Sequence, residues 1–111
     1  MNNWSDKFEG AVTICNNEGI ITYMNEKSQK QFSKYGGGKL IGTNLLDCHP
    51  EPSKSKLVEL LKTPTVNTYT IEKRGLKKII HQSPIYDNGV FSGVIEISFV
   101  IPQVLPHFIR D

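Results

Sequence analysis

The sequence predicts an α+β domain, a five-stranded antiparallel sheet with short helices packed on one face. Three observations carry this. Stretches rich in β-branched residues lie at both ends of the chain. Turn sequences (Asn16-Asn17-Glu18-Gly19, Lys73-Arg74-Gly75 and Asp87-Asn88-Gly89) separate them at hairpin spacing. Helical periodicity is confined to the middle block.

The elements follow in order. Residues 11–15 (Ala-Val-Thr-Ile-Cys) alternate, turn through 16–19, and resume strand character at 20–24, which makes a hairpin. Asn25 is placed to cap the next helix, with Ser28, Phe32 and Tyr35 on one face. Gly36-Gly37-Gly38 ends it. Residues 40–46 suit a short helical turn. Residues 53–62 form a second helix with Leu57, Val58, Leu60 and Leu61 as its apolar stripe, entered after Pro52 and left before Pro64. Strands over 66–72, 76–86 and 90–101 then make a meander, whose short loops force antiparallel pairing. Pro102 and Pro106 deny the tail a continuous helix or strand. The organisation expected is an N-terminal cap over 1–10, one domain over 11–101 and a tail over 102–111.

Composition excludes several classes. The chain of 111 residues fits one core and is too short for two. With 38% apolar and 22% charged residues it is globular and not a disordered tail. A net charge of +2, with basic residues scattered along the chain, argues against direct nucleic-acid binding. No apolar run reaches the roughly 20 residues of a spanning helix, and the polar N-terminus lacks a signal-peptide core. A soluble cytoplasmic domain with no membrane partner is the expectation, with Cys15 and Cys48 as reduced thiols.

The order two strands, helical block, three strands resembles the PAS family from about residue 11 to 101. Asn17-x-Gly19-x-Ile21-x-x-x-Asn25 is similar to the family's first hairpin running into an Asn-capped helix. Leu40-Ile41-Gly42-Thr43-Asn44-Leu45-Leu46 is similar to the loop and short helix that follow. Ser83-Pro84-Ile85-Tyr86-Asp87, Gly89 and Gly93-Val94-Ile95 are similar to the final hairpin. Cys48-His49-Pro50 resembles a Cys-His-Pro PAS subfamily. The resemblance implies a non-catalytic sensory and interaction module of a signalling or transcription-regulatory protein. It implies a homodimer or a signalling partner, and a pocket between sheet and helices for a small ligand. Fold alone does not name that ligand.

The pocket residues expected are Tyr23, Phe32, Leu45, Cys48, His49, Lys78, Ile80, Gln82, Ile95 and Ile97. Cys48-His49 is the one pair suited to thiol chemistry, since an adjacent imidazolium eases loss of the thiol proton; a buried cysteine beside a turn-capping histidine is the plainer reading. On 76–86 two registers compete. Even positions bring Lys78 and Gln82 inward, fit to hold an acidic metabolite, and odd positions bring Ile79 and His81. The family alignment favours the even set. On the last strand Phe91, Ile95, Ile97 and Phe99 share a face expected to be core or pocket wall, leaving Val94, Glu96, Ser98 and Val100 for solvent or a partner.

Cofactor readings are weaker. The family's covalent flavin sites carry Gly-x-Asn-Cys, whereas Leu45 stands at the cysteine position here, and Ile95 stands where those sites place a glutamine. Haem would use His49 as axial ligand, with His81 a poorer choice and His107 outside the domain. No paired spacing suggests zinc, and Gly36-Gly37-Gly38-Lys39 lacks the strand and helix context of a phosphate loop. Trp4 and Phe8, spaced i, i+4, suit a short N-terminal helix packed on the sheet or on a second subunit.

Overall fold

Asn16 shapes the first turn. Its side-chain oxygen accepts from the backbone N–H of Glu18 and of Ile20, while Gly19 takes the left-handed conformation (φ 85°) that closes the loop. In the structure, a computed structural model that describes residues 4–111, this turn joins β1 (Ala11–Asn16) to β2 (Ile21–Met24). Asn25 caps α1 (Glu26–Gln31) by accepting from Ser28 N, and the chain then tightens into 3-10 turns at Ser33–Tyr35, Gly37–Leu40 and Leu45–Cys48. Helix α2 (Ser53–Lys62) buries Leu57 and Leu60. β3 (Asn67–Lys73), β4 (Leu76–Asp87) and β5 (Val90–Val100) complete the chain.

All five strands form one antiparallel sheet in the order β2-β1-β5-β4-β3. The first hairpin therefore lies beside the terminal meander, with β1 against β5 from Ala11↔Ser98 to Asn16↔Gly93. Close approach at the end of that pairing requires Gly93, because a Cβ there would sit 2.0 Å from the Cys15 carbonyl oxygen. The core lies between the sheet and the helical block, built on Cys15, Ile21, Met24, Phe32, Leu45, Leu57, Leu60 and Val94. Burying side chains of this kind stabilises by roughly 1.5–3 kcal/mol each.

Two one-residue bulges decide which side chains reach that core. On β2 the pairing passes from Ile14↔Tyr23 to Cys15↔Ile21, so Thr22 is extra. Ile21 and Met24 then both face the helices, and Tyr23, expected in the pocket, is turned to the opposite face. Its hydroxyl is held there by Asp6 and Ser5. On β5 the pairing passes from Ile85↔Gly93 to Tyr86↔Phe91, so Ser92 is extra. Phe91 packs against the core as expected, but beyond the bulge alternation inverts. Val94, Glu96 and Ser98 face the helices, and Ile95 and Ile97 lie on the outer face. The expected placement of Ile95 and Ile97 on the pocket wall is thus overturned by a single inserted residue.

On β4 the even set, Lys78, Ile80 and Gln82, faces the helices, and His81 is outside, bonded to Thr68. Tyr35 is 51% exposed instead of sharing the buried face of Ser28 and Phe32, because regular α-helix ends at Gln31 and the chain turns more tightly afterwards. At the N-terminus, Trp4–Lys7 form a turn and not a helix. Trp4 and Phe8 meet edge to face, Trp4 is largely exposed, and Ser5 is buried. Residues 1–3 of the expected cap lie outside the described residues. No helix among those described is long and apolar enough to cross a membrane.

Candidate functional site

The centre of the helix-covered face is polar. The 3-10 turn Leu45–Cys48 is capped by Asn44, whose side-chain oxygen accepts from Leu46 N. That turn delivers Cys48 and His49 over β5. His49 Nε2 lies 3.3 Å from Glu96 Oε1, and the two side chains are 8% and 7% exposed. Gln82 Nε2 donates to the same Glu96 oxygen at 2.7 Å, and Asn67 Nδ2 donates to Gln82 Oε1 at 2.8 Å. A continuous relay therefore runs from the helical cover through β5 and β4 to β3. Phe32 closes one side, its ring 6.0 Å from that of His49.

His49 is also fixed at its other nitrogen, where Nδ1 meets the Leu45 carbonyl oxygen at 3.0 Å. A carbonyl only accepts, so Nδ1 carries a proton and Nε2 faces the carboxylate. Burial works against the charged imidazole, but hydrogen bonding to Cys48 and Glu96, then the nearby Glu96 charge, more than offset it, and its pKa is raised to about 10. Burial likewise resists the Glu96 carboxylate, yet His49 and then Gln82 hold it below its ordinary range. The pair is an imidazolium and a carboxylate. Every buried side-chain N and O among the described residues has a partner, as such a centre requires.

Cys48 is buried, and its Sγ donates to the Leu45 carbonyl at 3.2 Å, 3.6 Å from His49 Nδ1. A thiol committed to a carbonyl and 6% exposed is poorly placed to attack a substrate. Cys15 lies deeper, where burial pushes its thiol pKa up. Haem fits His49 badly, since neither nitrogen has a lone pair free and coordination would break the Glu96 contact. His81 and His107 lie elsewhere. No cluster of three His, Cys, Asp or Glu side chains suited to a metal occurs among the described residues.

Of the ten residues expected in the pocket, the structure brings together Phe32, Leu45, Cys48, His49, Ile80 and Gln82. Tyr23, Ile95 and Ile97 lie on the other face. Lys78 faces inward but reaches α1, donating to Gln31 Oε1 at 2.8 Å. Glu96 and Asn67 were missed. Glu96 is hidden from sequence reasoning by the Ser92 bulge, and Asn67 by its position at the first residue of a strand. Tyr69 is a third member of this wall. Burial and the Glu96 charge push its hydroxyl pKa up, against a hydrogen bond with Ser53.

No family model matches the sequence, and no curated protein matches it significantly. Solved structures do. The PAS domain of BvgS from Bordetella pertussis superposes with a TM-score of 0.68 at 14% identity, over 89% of this chain and 82% of that one. A sensory box sensor histidine kinase from Vibrio cholerae gives 0.63 at 20% identity, over 86% and 84%. The Aer2 receptor from Vibrio cholerae, described as a dual PAS-haem oxygen sensor, gives 0.63 at 15% identity, over 84% and 95%. At such identities the likeness speaks to architecture, and together with the strand order and the first hairpin's place beside the meander it establishes that this chain has the PAS fold.

Proposed function

We propose that the chain is a non-catalytic sensor and interaction domain of a signalling or transcription-regulatory protein, switched through the joint between its helical cover and its sheet. The observation that carries this reading is the buried His49–Glu96 pair. Apolar residues of similar volume would hold the closed packing at least as well as a buried ion pair does. A polar joint differs in being exchangeable, since a polar ligand or water can take over one partner's hydrogen bonds. An input that does so would shift the balance between two packings, provided it binds one of them better. Two inputs fit: a small polar ligand inserted between His49 and Glu96, or, once the cover has opened to expose Cys48, its oxidation by peroxide to a sulfenic acid with loss of water, which replaces the S–H donated to Leu45. The PAS domains of sensor kinases to which the chain is similar make a signalling context the natural one.

The output would be read on the outer face of the sheet. Ile79, Ile95 and Ile97 are half-buried there and Phe99 is 45% exposed, an apolar strip suited to a second copy or a signalling partner. Hydrogen exchange tests the whole reading. A ligand from a metabolite panel, or peroxide, should change protection at residues 45–62 and in β5 together, with a change in self-association by light scattering. An absence of ligand, redox response and partner alike would sink it.

A further inference from the structure

A second concavity lies away from His49 and Glu96, at the end of the sheet where β4 begins and α1 ends. It is a cleft of about 410 Å³, within the size range of small-molecule sites. Helix α1 contributes Lys27 and Lys30, the end of β3 contributes Lys73, the β3–β4 turn Arg74, and the floor Lys78. Glu9 is the one carboxylate in the lining, and it lies 3.6 Å from Lys27. Five cations thus face one anion in a chain whose net charge is only +2. Among the described residues no carboxylate lies within ion-pair distance of Lys30, Lys73, Arg74 or Lys78.

The arrangement is built as well as charged. Lys78 Nζ donates to Gln31 Oε1 at 2.8 Å, and Ser98 Oγ meets the same oxygen at 3.4 Å, so a neutral amide holds the ammonium in place where an acid would neutralise it. Burial, then the positive charges of Lys73 and Lys27, lower the Lys78 pKa, as expected where like charges crowd without a counter-ion. Arg74 takes a left-handed conformation (φ 53°) at the tip of its hairpin, beside Gly75. Leu76 and Phe99 add apolar edges with room for a carbon skeleton.

We propose that this cleft binds a small polyanionic metabolite, a di- or tricarboxylate or a phosphorylated compound, with Lys78 and Arg74 as its main contacts. The proposal does not rest on the sensor reading, because the cleft and the buried pair share no residue and only Phe99, at the cleft's edge, also belongs to the outer apolar strip. Calorimetry on the full chain at low salt, with citrate and pyrophosphate as probes and acetate as the monoanion control, tests it. At least one polyanion should bind well above acetate, weaken as salt is added, and shift the backbone amide NMR signals of Gln31, Lys73 and Ser98. Preference for citrate assigns a carboxylate ligand, preference for pyrophosphate a phosphorylated one, and equal binding recognition by charge alone. Lys78→Gln and Arg74→Gln should each weaken binding about tenfold, as loss of a charge-assisted contact implies. Arg74 sits on an exposed turn, so its variant keeps the test valid if Lys78→Gln disturbs the fold. Lys34→Gln, outside the cleft, should change nothing. Polyanions bound no better than acetate, full affinity in both cleft variants, or equal loss in Lys34→Gln would overturn the assignment.

Discussion

Glu96 on β5 and His49 at the end of a 3-10 turn are 47 residues apart in sequence and 3.3 Å apart in space, and they form the only ion pair buried in the core among the described residues. Their contact fastens the helical cover to the middle of the sheet. It follows that the two residues act as a unit. Removing one partner strands the other away from water, at a cost of about 3 kcal/mol. His49→Leu and Glu96→Leu should each lower the urea midpoint accordingly, while the double variant should cost clearly less than the sum. Additive losses in such a cycle would mean the side chains are not coupled.

The same pair sets a pH profile. His49 is raised from 6.5 to about 10, so its contribution is complete below about 6.5 and is lost as pH climbs through about 10. Glu96 is depressed below 4.5, so its contribution is complete above that value and is lost only as pH falls through the depressed one. Stability from the pair is therefore greatest between about 4.5 and 6.5 and declines on the alkaline side. Thermal melts from about pH 5 to about pH 10 should show Tm falling, and His49→Leu should flatten that fall. An unchanged alkaline slope in the variant would assign the decline to other groups.

Asn25 should prove far more costly to remove than an ordinary helix cap. Its Oδ1 accepts from Val12 N and Ser28 N, both at 2.9 Å, and its Nδ2 donates to the carbonyls of Ser5 (2.8 Å) and Gly10 (2.9 Å). It thus ties the N-terminal segment, β1 and α1 together while 1% exposed. A simple cap is worth about 1 kcal/mol. Asn25→Ala should cost about 3 kcal/mol or more, since four buried backbone groups lose their partner. Asn25→Asp should be about as harmful, because a carboxylate keeps the two acceptor bonds but faces two carbonyls. Denaturant titration of both variants checks this, and a loss no greater than that of a simple cap would show the network to be dispensable.

The sequence made the fold legible because its signals are local and agree. Asn16-Asn17-Glu18-Gly19, the Asn25 cap and the three-strand meander each state their own geometry, and together they admit one sheet order. Cys48 and His49 were legible as the one adjacent thiol and imidazole, and Gln82 only through the family resemblance, since periodicity on 76–86 left two registers open. Tyr23, Ile95, Ile97 and Glu96 were not. Tyr23 adjoins the bulge at Thr22 and the other three lie beyond the one at Ser92, and a single inserted residue exchanges inside for outside without leaving a mark on the hydrophobic pattern. Glu96 is the sharper case. An acidic residue on a strand reads as solvent-facing unless its distant partner is known, and His49 becomes its partner only after folding.

Gly93 stands where the bulged strand β5 meets β1, opposite Asn16. The Cβ of an alanine there would lie 2.0 Å from the Cys15 carbonyl oxygen; that oxygen is backbone and the Cβ is fixed to backbone, both held in the sheet, so neither can rotate away. The strands must part locally, which weakens the pairing of Cys15 with Val94 and Asn16 with Gly93 and disturbs the buried Val94 and Cys15 side chains. Gly93→Ala should therefore cost about 4 kcal/mol, in the range reserved for backbone clashes and core disruption. Gly89→Ala is the matched control. It has a left-handed φ of 79° but open space around the would-be Cβ, so only conformational strain of about 1 kcal/mol is at stake. Urea midpoints for the two variants should differ widely, and amide exchange in Gly93→Ala should speed up along β1 and the start of β5 first. Equal midpoints would mean that the β1–β5 seam yields more easily than its close contact implies.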